Sequence, residues 1–123
     1  MATTASLDRT RIAELTARED ARLNERTGQS GVTYERARVH LSGGVASSYQ
    51  LREPWPIYLE RGDGPTVWDV AGNEYFDFHN GFGSMVQGHA HPVIGKAVQD
   101  RYALGTHFAA PTEDSIAVGN DLA

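Results

Sequence analysis

The stretch ERGDGPTVWDVAGNEYFDFHNGFGSMVQGHAHP, residues 60–92, decides the architecture. Together with the residues just ahead of it, it sets short runs rich in β-branched and aromatic side chains at 57–60, 66–69 and 74–78. Between them stand the turn formers Gly62-Asp63-Gly64 and Ala71-Gly72-Asn73, so the pattern predicts three short strands joined by hairpins. Pro54 and Pro56 restrict the approach to the first strand and keep it at a sheet edge, where a missing backbone donor is tolerated. After a glycine-rich passage, Pro92 falls where a helix begins, because its absent N–H costs nothing in a first turn. Val93, Ile94, Ala97 and Val98 follow at helical spacing up to Gly105 and form that helix's expected inner face.

Outward from this centre, residues 8–25 predict an amphipathic helix whose apolar stripe, Ile12, Leu15 and Leu23, is thin. Glu14 and Arg18 stand at i,i+4 on its charged side. A helix that buries so little needs a larger body or a partner chain to dock on. Gly28, Ser30 and Gly31 interrupt the pattern, and a second short helix is expected over 33–41, stopping at Ser42-Gly43-Gly44. The mixed charge of this region reads as a solvated face rather than a binding surface. At the far end, Pro111-Thr112-Glu113-Asp114 predicts a helix start, with Thr112 as cap, two acids favouring the helix dipole, and Ile116, Ala117 and Leu122 opening an apolar face. No glycine, basic last turn or proline closes it before Ala123, so the sequence reads as cut within a helix.

Composition narrows the class without naming an activity. The 123 residues are 40% hydrophobic and 22% charged, as in ordinary globular proteins, and the single core they can form is small and marginally stable. A net charge of -5 provides no positive field for nucleic acid or an anionic membrane, so neither partner is expected. The absence of cysteine excludes disulfides, thiolate metal sites and thiol nucleophiles, which fits a cytoplasmic protein. The first residues show no signal-peptide core, and no run approaches the roughly 20 apolar residues of a membrane span.

Several chemical constellations fail on inspection. Gly81-Phe82-Gly83 lacks the third glycine of a dinucleotide fingerprint, and the 83–88 spacing is followed by His89 and Ala90 where a phosphate loop needs Lys and Ser or Thr. No serine sits in a Gly-x-Ser-x-Gly elbow. His89 and His91, with His79 and Asp77 upstream, offer ligands for zinc, but Pro92 makes this a strand-to-helix corner where imidazoles more simply satisfy backbone groups.

Four blocks in order carry a resemblance: Gly43-Gly44-Val45-Ala46-Ser47, the run 60–78, Gly88-His89-Ala90-His91-Pro92, and Phe108-Ala109-Ala110-Pro111-Thr112-Glu113. Together they resemble the N-terminal portion of class III pyridoxal-phosphate-dependent aminotransferases, nearest the glutamate-1-semialdehyde 2,1-aminomutase and β-amino-acid aminotransferase branches. The likeness covers residues 41–123 and, with the helical lead, extends to the entire chain. It implies an α/β fold-type I enzyme, a homodimer with active sites shared at the interface. This chain would supply a helical arm over 1–44, a three-stranded antiparallel meander and helix of the small domain over 45–105, and the start of the large cofactor-binding domain over 106–123.

The resemblance also implies what the chemistry would be. Such enzymes move an amino group between an amino acid and a keto or aldehyde acceptor, using pyridoxal 5'-phosphate held as a Schiff base by a lysine. Ser47 occupies the place of a serine near the substrate. Three residues on, where an arginine pairs with the substrate carboxylate, stands Gln50, and an amide cannot make the bidentate charged pair of a guanidinium. Arg52 would replace it only if the backbone between them stays extended. Phe82 holds the place of an aromatic that walls the pocket, and Tyr49 adjoins Ser47 and Gln50. The only lysine, Lys96, lies in the helix after Pro92, where the family does not place its Schiff base, and reads as a solvated helix residue. The chain by itself is therefore expected to be inactive. The alternative reading is a non-catalytic module that binds a partner chain through its arm.

Overall fold

The structure, a computed structural model, describes residues 7–123; the first six residues of the expected arm lie outside the described residues. It divides into two compact units, Met1–His89 and Ala90–Ala123. In the first, α1 (Arg9–Arg26) starts where Asp8 caps it, its carboxylate accepting the Arg11 N–H at 2.9 Å. The ion pairs along α1 differ from the expected Glu14–Arg18 contact. Glu14 meets Arg11 at 3.3 Å and Arg18 meets Glu19 at 2.8 Å, both exposed and screened by solvent, so neither decides the fold.

The second helix departs from expectation. Instead of breaking at 28–31 and running over 33–41, α2 spans Gly28–Ala37, separated from α1 by Thr27 alone. The reason is tertiary. A Cβ on Gly31 would lie 3.1 Å from the Trp55 indole, so the glycine admits an aromatic ring against the helix rather than ending it. Trp55 Nε1 donates to Thr27 Oγ1 at 3.0 Å, and Tyr58 N donates to Ser30 Oγ at 3.1 Å, which accounts for two buried hydroxyls at a helix junction. Gly43 and Gly44, both at positive φ, carry the chain on through a separate turn, Ser42–Gly44.

Three strands, β1 (Leu59–Asp63), β2 (Thr66–Asp69) and β3 (Glu74–Phe76), form the expected antiparallel meander in the order β1-β2-β3. The register pairs Asp63 with Thr66 and Arg61 with Trp68 on one side, and Thr66 with Phe76 and Val67 with Tyr75 on the other. The first strand therefore runs later than 57–60, and Gly62 and Asp63 belong to it; the turn is Gly64-Pro65. Gly62 stays bare inside the strand because the His89 ring lies over it, 2.6 Å from where a Cβ would stand. β3 stops two residues early: the Asp77 N–H still donates in register to the Pro65 carbonyl at 2.8 Å, but Pro65 has no N–H with which to return the bond.

Val67 and Pro56 are the buried apolar side chains among the described residues, while Thr27, Ser30 and Asp69 are fully buried polar ones. Asp69 organises its surroundings. Its carboxylate accepts the Ala71 and Asn73 N–H groups, Asn73 Nδ2 and the Tyr75 hydroxyl, all at 2.9 Å. Asn73 Nδ2 also donates to the Arg26 carbonyl at 2.8 Å, joining the β2–β3 turn to the last turn of α1. Burial pushes the Asp69 carboxyl up, but the donors from Asn73, Tyr75 and Ala71 outweigh it and hold it below the usual carboxylate range.

The first unit ends beyond the four-residue turn α3 (Asn80–Gly83); in the second, α4 (Pro92–Tyr102) opens at Pro92 as expected and is followed by Gly105 at positive φ. Its apolar stripe is not an inner face here: Val93 is 70% exposed, and Ile94 and Val98 are exposed as well. No residue of this unit is buried, so the two helices offer no body for the stripe to pack on. α5 (Glu113–Leu122) starts at Thr112, whose side chain makes no capping bond; its carbonyl accepts the Ser115 N–H at 3.2 Å instead. Arg101 pairs with Asp114 at 3.2 Å and lies over the Phe108 ring.

Asp69→Asn replaces an acceptor of four hydrogen bonds by a group that must present a donor to donors. It is expected to cost about 2–4 kcal/mol, read as lost hydrogen-exchange protection at the Ala71 and Asn73 amides and a lowered urea midpoint.

Candidate functional site

The segment carrying Ser47 and Gln50 is fixed from behind by two tyrosines. The Tyr58 hydroxyl donates to the Gly44 carbonyl, and a Cβ on Gly44 would collide with the Tyr34 ring at 2.6 Å. Burial, helped by neighbouring Tyr34, pushes the Tyr58 phenol above its usual range, which keeps it a donor. Beyond this anchor, Ser47 and Gln50 close the turn Ser48–Gln50 reciprocally: the Gln50 N–H donates to the Ser47 carbonyl at 3.0 Å, and Gln50 Oε1 accepts the Ser47 N–H at 3.2 Å. Gln50 Nε2 donates to the Tyr49 hydroxyl at 3.4 Å. Both ends of the Gln50 amide are thus engaged within four residues, on the rim of an open groove of about 390 Å³ whose walls include Leu41, Val45, Ile57 and Leu59.

Phe82 reaches the same place from a different part of the chain. Asn80, Gly81, Phe82 and Gly83 have φ of 52, 54, 58 and 82°, so α3 (Asn80–Gly83) is a single left-handed turn. Asparagine enters this region readily, but Phe82 there costs roughly 1–2 kcal/mol. The turn is held by Asp77 Oδ1, which accepts the His79 and Asn80 N–H groups at 3.0 and 2.9 Å, and by the Met85 N–H, which donates to the Asn80 carbonyl at 3.1 Å. Its effect is to hold the Phe82 ring 72% exposed, 4.8 Å from the Tyr49 ring and 4.3 Å from the His79 ring, at 72° to both. Tyr49 and His79 are parallel to within 5°. Ser47, Gln50 and Phe82 are therefore brought into one cluster, linked through Tyr49.

His79 is the member that sequence reasoning missed, having entered only as a zinc ligand. A signal was present in the Asp77-x-His79-Asn80-Gly81 order, which suits a carboxylate-capped turn that reverses the chain. Arg52 takes no part in the cluster. The backbone after Ser47 is a turn rather than extended, and the guanidinium bonds the Trp55 carbonyl at 3.1 Å and Asn24 Oδ1 at 3.4 Å.

The other histidine of interest, His89, pairs with Asp77, Nε2 to Oδ2 at 2.7 Å. Its backbone also bridges Gly64, giving and accepting bonds of 2.8 and 3.0 Å, so the residue fastens the Gly64-Pro65 turn to the chain beyond the left-handed turn. Among the described residues, no group of three or more His, Asp or Glu side chains lies together as a metal cage would require. Lys96 is exposed on α4 and pairs with Asp100, both carboxylate oxygens at 2.8 Å.

Against known proteins, the sequence model of the family described as aminotransferase class-III matches residues 48–120. The glutamate-1-semialdehyde 2,1-aminomutase of Haloarcula marismortui is 44% identical over 86 residues, which is 69% of this chain and 19% of that protein. A solved glutamate-1-semialdehyde aminomutase from Pseudomonas aeruginosa superposes with a TM-score of 0.84 at 31% identity over 96% of this chain and 26% of its own. A solved transaminase with pyridoxal phosphate bound gives a TM-score of 0.68 at 34% identity, covering 74% of this chain and 22% of its own. The fold is thus that of the N-terminal part of a fold-type I enzyme, and the chain spans about a fifth of the length of the curated relatives it matches.

The Asp77 carboxyl is held below the usual carboxylate range by His89 first, and then by the Asn80 and His79 N–H groups. A carboxyl depressed in the folded state contributes stability above its unfolded value of about 4 and loses it as pH falls through the lower native value. Asp69 follows the same sign. Unfolding midpoints are accordingly expected to fall steeply with acid below about pH 4, and Asp77→Asn should flatten that slope while loosening exchange protection at Gly64 and His89.

Proposed function

The chain belongs to the class-III aminotransferase family, and on that premise we propose that the complete protein is a pyridoxal-phosphate enzyme moving an amino group between an amino acid and a keto or aldehyde acceptor. The observation that carries this reading is the convergence of Ser47, Gln50 and Phe82. Positions 47 and 82 are far apart in sequence, yet both belong to one exposed corner beside Tyr49. In this reading the Ser47 hydroxyl and the Gln50 amide face the polar end of the substrate, and Phe82 forms its wall. Gln50 has both amide atoms engaged locally and carries no charge, which disfavours a bidentate grip on a carboxylate and hence glutamate-1-semialdehyde itself as substrate.

The residues at hand do not fit the cofactor. Lys96 pairs with Asp100 on the exposed side of a helix, so we assign no cofactor chemistry to this chain and read it as inactive alone. In the complete protein we assign residues 1–44 to an arm, 45–105 to the small domain and 106–123 to the start of the large one. The complete enzyme is read as a homodimer working in the cytoplasm on small molecules. Support for the dimer is physical: α1 buries none of its residues and needs a surface to rest on. Among the described residues, no helix is long and apolar enough to cross a membrane.

The test is amino transfer by the complete protein loaded with pyridoxal phosphate, assayed over a panel of amino donors and keto acceptors; no transfer from any donor would sink the proposal. Lys96→Ala should leave kcat/KM within about twofold, as expected for an exposed helix pair. Borohydride reduction of the 123-residue chain with the cofactor should give no stoichiometric label on Lys96.

A further inference from the structure

We propose that Asn80 is a site of spontaneous deamidation, and that the left-handed turn around it sets the rate by holding the two reacting groups apart. The modification is independent of the aminotransferase reading. Of the four asparagines, at 24, 73, 80 and 120, Asn80 alone precedes a glycine. A following glycine has no Cβ to hinder its backbone nitrogen, which can then attack the asparagine side chain. The fold requires this pair. Asn80 and Gly81 have φ of 52 and 54°, the region that asparagine and glycine enter most readily, and a Cβ on Gly81 would lie 2.9 Å from Ser84 Oγ. The residues that make the turn possible are therefore the residues that react.

The step is internal to the chain. The Gly81 backbone nitrogen bonds to Asn80 Cγ, the Cγ–Nδ2 bond breaks, and ammonia leaves with the proton of the Gly81 N–H, closing a succinimide ring. Water then opens the ring at either carbonyl, giving aspartate at 80 or the isomer whose backbone runs through the side-chain carbon. No oxidant, metal or second substrate enters. The attacking group is also uncommitted, since the Gly81 N–H donates no hydrogen bond among the described residues. At the one Asp-Gly pair, Asp63-Gly64, the equivalent nitrogen is engaged, its N–H donating to the His89 carbonyl at 3.0 Å.

What delays the reaction is the peptide group between Asn80 and Gly81. To bring the Gly81 nitrogen onto Cγ, that group must rotate about the Asn80 Cα–C bond. Its carbonyl, however, accepts the Met85 N–H at 3.1 Å, while Asp77 Oδ1 holds the Asn80 N–H at 2.9 Å on the other side of the residue. Rotation breaks the first bond and works against the second, so cyclisation proceeds from the small population in which the turn has opened. Afterwards the turn does not reclose. Either product sets a carboxylate beside that of Asp77, where like charges repel, and the isomer adds a backbone carbon within the span that the Met85 bond closes. Phe82 then loses the support that keeps it in left-handed backbone.

The test follows Asn80 by peptide mass mapping and isoaspartyl methyltransferase labelling, with the complete protein kept folded in mildly alkaline buffer beside the same protein unfolded in urea. The folded protein is expected to convert at Asn80 at least about tenfold more slowly than the unfolded one. Asp77→Ala should bring the folded rate to within about threefold of the unfolded rate, and Asn80→Gly, which suits positive φ, should remove the signal. A measurement on the unaltered protein stands whether or not Asp77→Ala folds: urea below the unfolding transition should raise the Asn80 rate in step with exchange of the Met85 amide. Equal rates in folded and unfolded protein, a folded rate that stays constant while the Met85 amide loosens, or conversion of Asn24, Asn73 or Asn120 ahead of Asn80 would overturn the proposal.

Discussion

The Asp69 carboxylate is the constraint on which the first unit depends. A fully buried charge is costly unless its hydrogen bonds are complete, and here Ala71, Asn73 and Tyr75 complete them from one turn and the next strand. Through Asn73 the same network grips the end of α1. Thr27 and Ser30 extend this polar joint to Trp55 and Tyr58, so helices and sheet are located by directional bonds, with only Val67 and Pro56 as buried apolar side chains among the described residues. Such a joint sets geometry sharply while contributing little hydrophobic stabilisation. That combination suits a piece whose large apolar side chains are mostly exposed, Leu59, Phe76 and Phe78 among them.

The candidate site hangs from this joint by two tethers. Tyr58, placed by Ser30, holds Gly44 and with it the turn that carries Ser47 and Gln50. Asp77, at the end of the meander, caps the left-handed turn on one oxygen and holds His89 on the other. The two tethers leave the sheet at different ends of the sequence and meet at Tyr49 and Phe82. A backbone strained at Phe82 is stable there only because Asp77 and its partners over-determine the turn.

Much of the fold was legible because local chemistry was unambiguous. Asp8 before α1, the β-branched run 66–69, Gly72 in the second hairpin and Pro92 at the start of α4 each state their structure by propensity alone. The errors share one cause. Gly31 and Gly62 look like breakers in a linear reading, yet one sits in a helix under Trp55 and the other in a strand under His89. In both, the glycine answers a ring that arrives from elsewhere in the chain, and no window of neighbouring residues contains that ring.

The sequence by itself determined the element types, their order, the meander and the family, since four blocks in order are specific without coordinates. It also determined that Gln50 brings no charge where the family resemblance places an arginine, and that the lone lysine stands on a helix. Only the tertiary structure decided that Gln50 is bonded at both ends, that Arg52 is turned away to Asn24, and that His79 joins Tyr49 and Phe82. The physical reason is range. Propensity and capping act over a few residues and can be read in place, whereas a side chain's partner across thirty residues is chosen by the path of the backbone between them.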